Sequence, residues 1–63
     1  MKIEYTLHAE EQIQVRHLEK VWVEEAITSP DSVKQLGHKY YAKKKLNGIT
    51  INVIYIKKNY IKI

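Results

Sequence analysis

Hydrophobic and polar residues alternate along the last third of the chain, and this alternation is the clearest structural pattern in the sequence. Residues 49–55 read Ile-Thr-Ile-Asn-Val-Ile-Tyr, and the largely lysine and tyrosine segment 40–46 precedes them across an Asn47-Gly48 pair. Asn-Gly tolerates the positive φ angles of a type I′ turn, so a β-hairpin is predicted here. A weaker turn signal at Lys58-Asn59 predicts that residues 60–63 return as a third antiparallel strand.

Two helices are predicted upstream of the hairpin. Residues 7–16 contain neither proline nor glycine, and Thr6 is a suitable N-cap, with two glutamates near the positive end of the helix. A second helix is expected from Glu19 to Thr28, because its apolar side chains form one stripe and Ser29-Pro30 ends it. The members of that stripe are Val23, Ala26 and Ile27, with Trp22 beside them.

The order of these elements predicts an α+β fold, in which two N-terminal helices pack on a three- to four-stranded antiparallel β-meander. Residues 3–5 are a candidate leading strand, and residues 32–36 are a candidate strand before Gly37. With a length of 63 residues, the chain is expected to form one small domain over residues 1–63.

The register of the hairpin follows from a two-residue turn. Leu46 then faces Ile49, and the pairs 44–51, 42–53 and 40–55 lie on the same side of the sheet. The other side holds Lys39, Tyr41, Lys43, Lys45, Thr50, Asn52, Ile54 and Ile56. There Ile54 and Ile56 are expected opposite Ile63 and Ile61, so one end of this side is apolar. The alternation therefore leaves open which side the helices cover.

The charges are divided between the two halves of the chain. All seven carboxylates lie within residues 1–31, whereas residues 32–63 contain eight lysines and no acid. Lysines interleaved with tyrosines predict a surface that binds phosphate groups. The alternative is a solvated, lysine-rich sheet edge that resists aggregation, since edge lysines commonly have that role.

The composition disfavours several classes of protein. The chain has no cysteine, which excludes disulfides and thiolate metal sites. It begins without an apolar signal stretch, and no apolar run approaches the ~20 residues that span a bilayer, so a soluble, cytoplasmic protein without membrane association is expected. Three scattered histidines and no phosphate-binding glycine loop predict neither a metal site nor a cofactor.

The first predicted helix carries the best candidate for chemistry. His8, Gln12 and Arg16 recur at i, i+4 and i+8, which places an imidazole, an amide and a guanidinium on one helix face. Arginine binds phosphate oxygens through its planar fork, and a histidine side chain titrates near neutral pH. The stripe therefore suits a phosphodiester, although polar stripes of this kind are also typical of a solvent-exposed helix face.

These residues also carry a resemblance to a known family. The run Thr-Leu-His-Ala-Glu-Glu-Gln-Ile-Gln-Val-Arg-His-Leu at residues 6–18, Ser29-Pro30, residues 40–43 and the hydrophobic hairpin look like the small prokaryotic domain-of-unknown-function family numbered 4258. The family pattern opens His-Ala-x-x-Arg-Met-x-x-Arg-x-Ile and closes with a three-stranded meander. Its members are similar to the RelE and BrnT toxins, which are metal-independent ribonuclease folds. The resemblance implies a toxin-like ribonuclease module, often paired with an antitoxin.

Position by position, His8 and Arg16 match the opening histidine and the second arginine of the family pattern. Gln12 departs from it, because the family has its first arginine there. The chain also ends at Ile63, where the family pattern continues to a Thr-x-Tyr-like ending. These two departures leave two alternatives: a degenerate copy of the toxin, or a sequence that is shortened at its C-terminal end.

If the protein cleaves RNA, the ribose 2′-hydroxyl attacks the adjacent phosphate while side chains move protons and stabilise negative charge. His8 is then assigned as acid or base, Arg16 and Lys43 as phosphate clamps, and Tyr41 as a group that stacks on a base or orients the substrate. The candidate nucleic-acid-binding residues are Gln12, Lys39, Lys43 and Lys45.

Two other functions stay open at this point. A non-catalytic binding module would dock its basic sheet on RNA, DNA or an acidic partner protein. A structural homo-oligomer, a homodimer in the simplest case, would pair exposed sheet edges. The toxin interpretation predicts RNA as substrate and a cognate antitoxin as partner.

Overall fold

Five strands and two helices make up the fold, which a computed structural model describes for residues 2–63. They are β1 (Ile3–Glu4), α1 (Leu7–Val15), α2 (Lys20–Thr28), β2 (Ser32–Leu36), β3 (Lys39–Leu46), β4 (Ile49–Lys57) and β5 (Ile61–Lys62). The predicted α+β class with two N-terminal helices is therefore confirmed.

The strands form one mixed sheet in the order β1-β5-β4-β3-β2. Strands β2 to β5 pair antiparallel in sequence order, as a meander does, but β1 pairs in parallel with β5. The expectation of a purely antiparallel sheet with three or four strands was wrong at this edge. Parallel neighbours need a long connection, and here two helices and the whole meander separate β1 from β5.

The central hairpin has the predicted turn and register. Asn47 and Gly48 have φ angles of 51° and 80°, as a type I′ turn requires at its two central positions. The register pairs Leu46 with Ile49, Lys44 with Ile51, Ala42 with Val53, and Tyr40 with Tyr55. The rings of Tyr40 and Tyr55 are stacked, with centroids 5.2 Å apart, so Tyr40 is a packing residue.

The helices cover the side of the sheet that carries the apolar hairpin pairs, which answers the question left by the alternation. From α2, Val23, Ala26 and Ile27 are buried. They meet buried residues of the sheet: Ala42, Ile51, Val53, Tyr55 and Ile61. Trp22 is half-buried and packs at the border of this core. The other side of the sheet has no helix over it among residues 2–63.

The pairing of β5 differs by one residue from the prediction. Ile56 lies opposite Lys62 and Lys57 opposite Ile61, whereas Ile61 was expected opposite Ile56. Three residues, 58–60, lie between the paired Lys57 and Ile61, so the turn is one residue longer than the expected two-residue loop. Within it the Lys58 N–H donates to the Tyr60 carbonyl at 2.8 Å. A one-residue shift moves every side chain of a strand to the other face. It places Ile61 in the core, where the side chain is 5% exposed.

The start of α1 is held by its cap and by α2. The hydroxyl of Thr6 accepts a hydrogen bond from the N–H of Ala9 at 3.2 Å, which confirms the predicted N-cap. Lys20 of α2 forms an ion pair with Glu10, and its ammonium lies 4.6 Å from the centre of the Tyr5 ring. Burial, with a smaller contribution from nearby carboxylates, raises the pKa of the Tyr5 phenol.

α1 ends in a turn at His17, which has a left-handed backbone with a φ angle of 54°. The helix ends at Val15, one residue before the predicted Arg16, which is the C-cap residue. The Leu18 N–H donates to the Ile13 carbonyl at 2.9 Å, and the His17 N–H donates to the Gln14 carbonyl at 3.1 Å. This is the Schellman pattern, in which the residue after the C-cap turns the chain. His17 therefore has a structural place between the helices.

Candidate nucleic-acid interface

The uncovered side of the sheet gathers most of the lysines of the C-terminal half, and we refer to it as the lysine face. The strand registers place on it Lys34 of β2, Lys39, Lys43 and Lys45 of β3, and Lys62 of β5. Within the strands of residues 2–63, Glu4 of β1 is the one carboxylate whose position falls on this side, at the far edge. The lysine face is therefore strongly cationic over β2 and β3.

Tyr41 lies in the middle of the lysine face. Alternate residues of a strand are roughly 7 Å apart on one face, so Lys39 and Lys43 flank Tyr41 along β3. Across the strands, Tyr41 lies between Lys34 of β2 and Ile54 of β4. The Tyr41 side chain is 36% exposed and Ile54 is 52% exposed. An exposed aromatic ring thus has ammonium groups around it and an apolar neighbour beside it.

Asp31 organises the lysine run without neutralising the lysine face. Lys44 points to the helix side, where its Nζ lies 3.6 Å from Asp31 Oδ1. The backbone N–H of Lys45 donates to Asp31 Oδ2 at 2.8 Å. This hydrogen bond, together with the charge of Lys44, lowers the pKa of the Asp31 carboxyl. The ammonium groups of Lys43 and Lys45 have no carboxylate partner among residues 2–63.

The polar stripe of α1 lines a groove between this helix and β4, which we refer to as the α1–β4 groove. His8, Gln12 and Arg16 lie along the helix wall, as their spacing predicts, and residues 49–54 of β4 form the opposite wall. The groove has a volume of about 650 Å³. All three polar side chains of the helix are exposed, so a ligand in the groove can reach them directly.

The predicted site residues fall on two surfaces that meet at β4. His8, Gln12 and Arg16 line the α1–β4 groove, whereas Lys39, Tyr41, Lys43 and Lys45 belong to the lysine face. A hollow of about 340 Å³ on the lysine face is lined by Tyr41 and Lys43 together with Asn52 and Ile54. The two surfaces share Asn52, Val53 and Ile54, which line both the hollow and the groove.

Lys34 and Lys62 are members of the lysine face that reasoning from the sequence did not place there. For Lys34 a signal was present: Gly37 has a φ angle of 61°, and a two-residue Gly37-His38 turn pairs Leu36 with Lys39. That register puts Lys34 opposite Tyr41. Lys62 could not be placed, because its face depends on the shifted pairing of β5.

The sequence also raised the questions of a metal site and of a membrane-spanning segment. Within residues 2–63, no group of three or more His, Cys, Asp and Glu side chains is arranged to hold a metal ion. His17 lies at the end of α1 and His38 at the β2–β3 turn, so the histidines do not converge. Neither described helix has the length and apolarity needed to cross a membrane.

Comparison with known proteins gives no relative: no protein-family model, no curated protein and no solved structure matches this chain. The resemblance to the toxin-like family stays a prediction. The geometry of the lysine face and of the α1–β4 groove therefore carries the functional argument.

Proposed function

We propose that the protein binds single-stranded RNA across the lysine face. The observation that carries the proposal is the alternation of exposed lysines with Tyr41 on a side of the sheet that no described helix covers. The same strand places Lys39, Tyr41, Lys43 and Lys45 along one line at intervals of roughly 7 Å. A line of cations around an aromatic ring suits an extended polyanion whose bases are free to stack.

Two interactions supply the binding energy. Base stacking on an aromatic side chain contributes about 1–3 kcal/mol per base, and Tyr41 offers one such platform. Each lysine that meets a phosphate releases counterions, which makes the affinity depend steeply on salt. Duplex RNA hides its bases inside the helix, so a flat sheet with one exposed ring favours single strands.

The experiment that tests RNA binding is a salt titration with a short fluorescent oligouridine, read by anisotropy. We expect the logarithm of the affinity to fall linearly with the logarithm of the salt concentration. Lys43→Ala should reduce the steepness by about 0.7, the contribution of one single-strand phosphate contact. Lys58→Ala, at the β4–β5 turn away from the lysine face, should leave the slope unchanged. Binding that ignores salt, or no binding at low salt, would contradict the proposal.

A second candidate function is metal-independent RNA cleavage in the α1–β4 groove. The observation that favours it is the position of His8 and Arg16 in a groove that shares Asn52 and Ile54 with the lysine face. An RNA strand held by Tyr41 and Lys43 has only to cross β4 to bring a phosphodiester into the groove. The chain would then act as a toxin-like endoribonuclease, as the family resemblance implies.

The chemistry of that cleavage needs only groups of the chain. The ribose 2′-oxygen forms a bond to the adjacent phosphorus, and the bond from phosphorus to the 5′-oxygen of the next nucleotide breaks. A base takes the proton of the 2′-hydroxyl and an acid gives one to the departing 5′-oxygen, which leaves a 2′,3′-cyclic phosphate. His8 serves as acid or base, and Arg16 holds the phosphate oxygens as their charge grows.

His8→Ala should reduce cleavage by about 10²–10⁴-fold while RNA affinity stays nearly constant, because a proton-transfer group contributes in the transition state. Arg16→Ala should weaken both cleavage and affinity. Gln12→Arg should raise cleavage by adding a cation to the groove. A single-turnover assay in EDTA measures these rates, and His38→Ala is the matched control.

The cleavage assay separates enzyme from binder. If neither the wild-type protein nor the Gln12→Arg variant cleaves RNA in EDTA while the salt-dependent binding persists, the second candidate is wrong and RNA binding stands alone. Equal loss of cleavage in His8→Ala and His38→Ala would also contradict the role given to His8.

A further inference from the structure

Among residues 2–63, no strand pairs with the edge of β4 that faces the α1–β4 groove over most of the length of β4. β5 pairs with β4 only at Ile56 and Lys57, although β4 begins at Ile49. Residues 49–55 of β4 therefore pair with β3 on one side alone. The groove lies on the open side of this stretch.

The direction of the free backbone groups follows from the ladder. The Asp31 N–H donates to the Lys43 carbonyl, so the backbone of Lys43 points toward β2 and away from its partner Asn52. Opposed residues of an antiparallel pair alternate between bonded and non-bonded. The N–H and C=O groups of Thr50, Asn52 and Ile54 consequently point away from β3, and they have no backbone partner among residues 2–63.

This edge lacks the protection that exposed strand edges usually have. Lysine, proline or a very short strand commonly prevents an edge from pairing with another chain. β2 carries Lys34 and β1 is two residues long, whereas residues 49–56 of β4 contain no charged residue and no proline. Ile49 and Ile54 are 41% and 52% exposed. An uncharged, isoleucine-rich edge with free backbone groups can therefore pair with an added strand.

The width of the groove favours one added strand over a second copy of the sheet. α1 forms the outer wall of the groove while α2 packs over β3 and β4. Neighbouring strands lie about 4.8 Å apart, but packed helices need about 8–10 Å between their axes. If two copies paired through their β4 edges, α1 of each copy would therefore clash with α2 of the other.

We propose that an extended segment of a partner protein adds to β4 as an antiparallel strand beneath α1, with apolar side chains alternating with acidic ones. Backbone groups of the segment bond to Thr50, Asn52 and Ile54, collinear with β5. Its apolar side chains meet Ile13 and Ile51 on the helix side of the sheet. Its acidic side chains project on the same side of the sheet as the lysine face, where the positive potential favours them.

Charge supports this choice of occupant. None of the described side chains that line the groove is a carboxylate, and the side chains of Arg16 and His8 are its basic groups. The lysine face begins two strands away at Lys43 and Lys45, within about a Debye length at moderate salt. Strand addition takes affinity from main-chain hydrogen bonds and specificity from alternate side chains. This proposal does not depend on RNA binding, because the main hydrogen bonds of the added strand are to backbone groups of β4.

The test uses a blocked synthetic peptide of alternating valine and glutamate as the probe, with the whole chain. Binding is followed by fluorescence anisotropy, and hydrogen exchange at single amides locates it. We expect the peptide to slow exchange at Thr50, Asn52 and Ile54. A valine–lysine peptide, and a valine–glutamate peptide methylated on the backbone nitrogens that face β4, should both bind at least about tenfold more weakly.

A matched pair of proline variants tests the same edge from the protein side. The Asn52 N–H points into the groove and not to β3, so Asn52→Pro removes a docking group without removing a ladder bond. The Val33 N–H points outward from β2 in the same way, which makes Val33→Pro the control. Asn52→Pro should lower peptide affinity at least about tenfold, and Val33→Pro should leave it unchanged.

Several outcomes would overturn the strand proposal. They are no binding of the valine–glutamate peptide, protection at β2 in place of β4, or equal affinity for the methylated peptide. Concentration-dependent protection of the β4 edge by the protein alone would assign the edge to a second copy. Protection of the same amides by oligouridine, with no effect of the peptide, would assign it to RNA. Failure of RNA binding on the lysine face would alter none of these readouts.

Discussion

Replacing Lys43 and Lys45 together by glutamate should weaken binding of single-stranded RNA by about 100-fold at about 0.1 M salt. Two single-strand phosphate contacts, each with a salt slope of about 0.7, account for roughly 25-fold at that concentration. Repulsion between the two introduced carboxylates and the phosphates supplies the rest. The salt slope itself should become shallower by about 1.4. Anisotropy with fluorescent oligouridine measures both quantities.

The control for this variant carries the same net charge. Each lysine-to-glutamate change removes two charges, so two changes take the formal charge from +4 to 0. Glutamates at Lys57 and Lys58 have the same effect on net charge, but these residues lie at the β4–β5 end, off the lysine face. This control should lose less than about threefold in affinity. Equal losses in the two variants would mean that RNA senses only the overall charge, and the lysine face would have no specific role.

The central hairpin could be predicted from the sequence because its signals are local. Asn47 and Gly48 occupy the two positions that need positive φ, and a two-residue turn determines every pair that follows along β3 and β4. The helix N-cap at Thr6 is equally local, since its hydroxyl reaches an amide three residues away. Features that depend on one turn or one strand pair can therefore be predicted from the sequence.

The position of β5 could not be predicted in the same way. Lys58-Asn59 is a weak turn signal, and lengthening the turn by one residue exchanges the two faces of the strand. Only the core decides between the two registers, because the observed one buries Ile61 against the helix side. The parallel pairing of β1 with β5 is even harder to predict from the sequence, since no turn connects the two strands. Long-range packing, which no short segment encodes, determines both.

The candidate site shows the same division. The spacing of His8, Gln12 and Arg16 predicts that they share a helix face, and they do line one groove. The wall opposite them, at Asn52, could not be foreseen because it depends on where α1 lies relative to the sheet. For the lysine face, alternation assigned Lys43 to the same side as Tyr41, and the burial of the other side by α2 then left both exposed.

Replacing Ile51 by alanine should remove most of the stability of the fold. Ile51 is 2% exposed and lies in the core formed with α2, so the change leaves a cavity where its side chain was. Such truncations cost about 2–5 kcal/mol. A domain of 63 residues has a total free energy of unfolding of about 3–9 kcal/mol. At the middle of both ranges the variant should keep only about 2–3 kcal/mol, so it should unfold at a much lower urea concentration than the wild-type protein.

Ile54→Ala is the matched control, because it removes the same atoms from the same strand on the opposite face. Ile54 is 52% exposed on the lysine face, so its truncation should change the free energy of unfolding by about 0.5 kcal/mol or less. Urea unfolding followed by circular dichroism and by the fluorescence of Trp22, which packs at the border of the core, measures both variants. If Ile54→Ala were as destabilising as Ile51→Ala, the helices would have to cover the lysine face. That surface would then be unavailable to RNA.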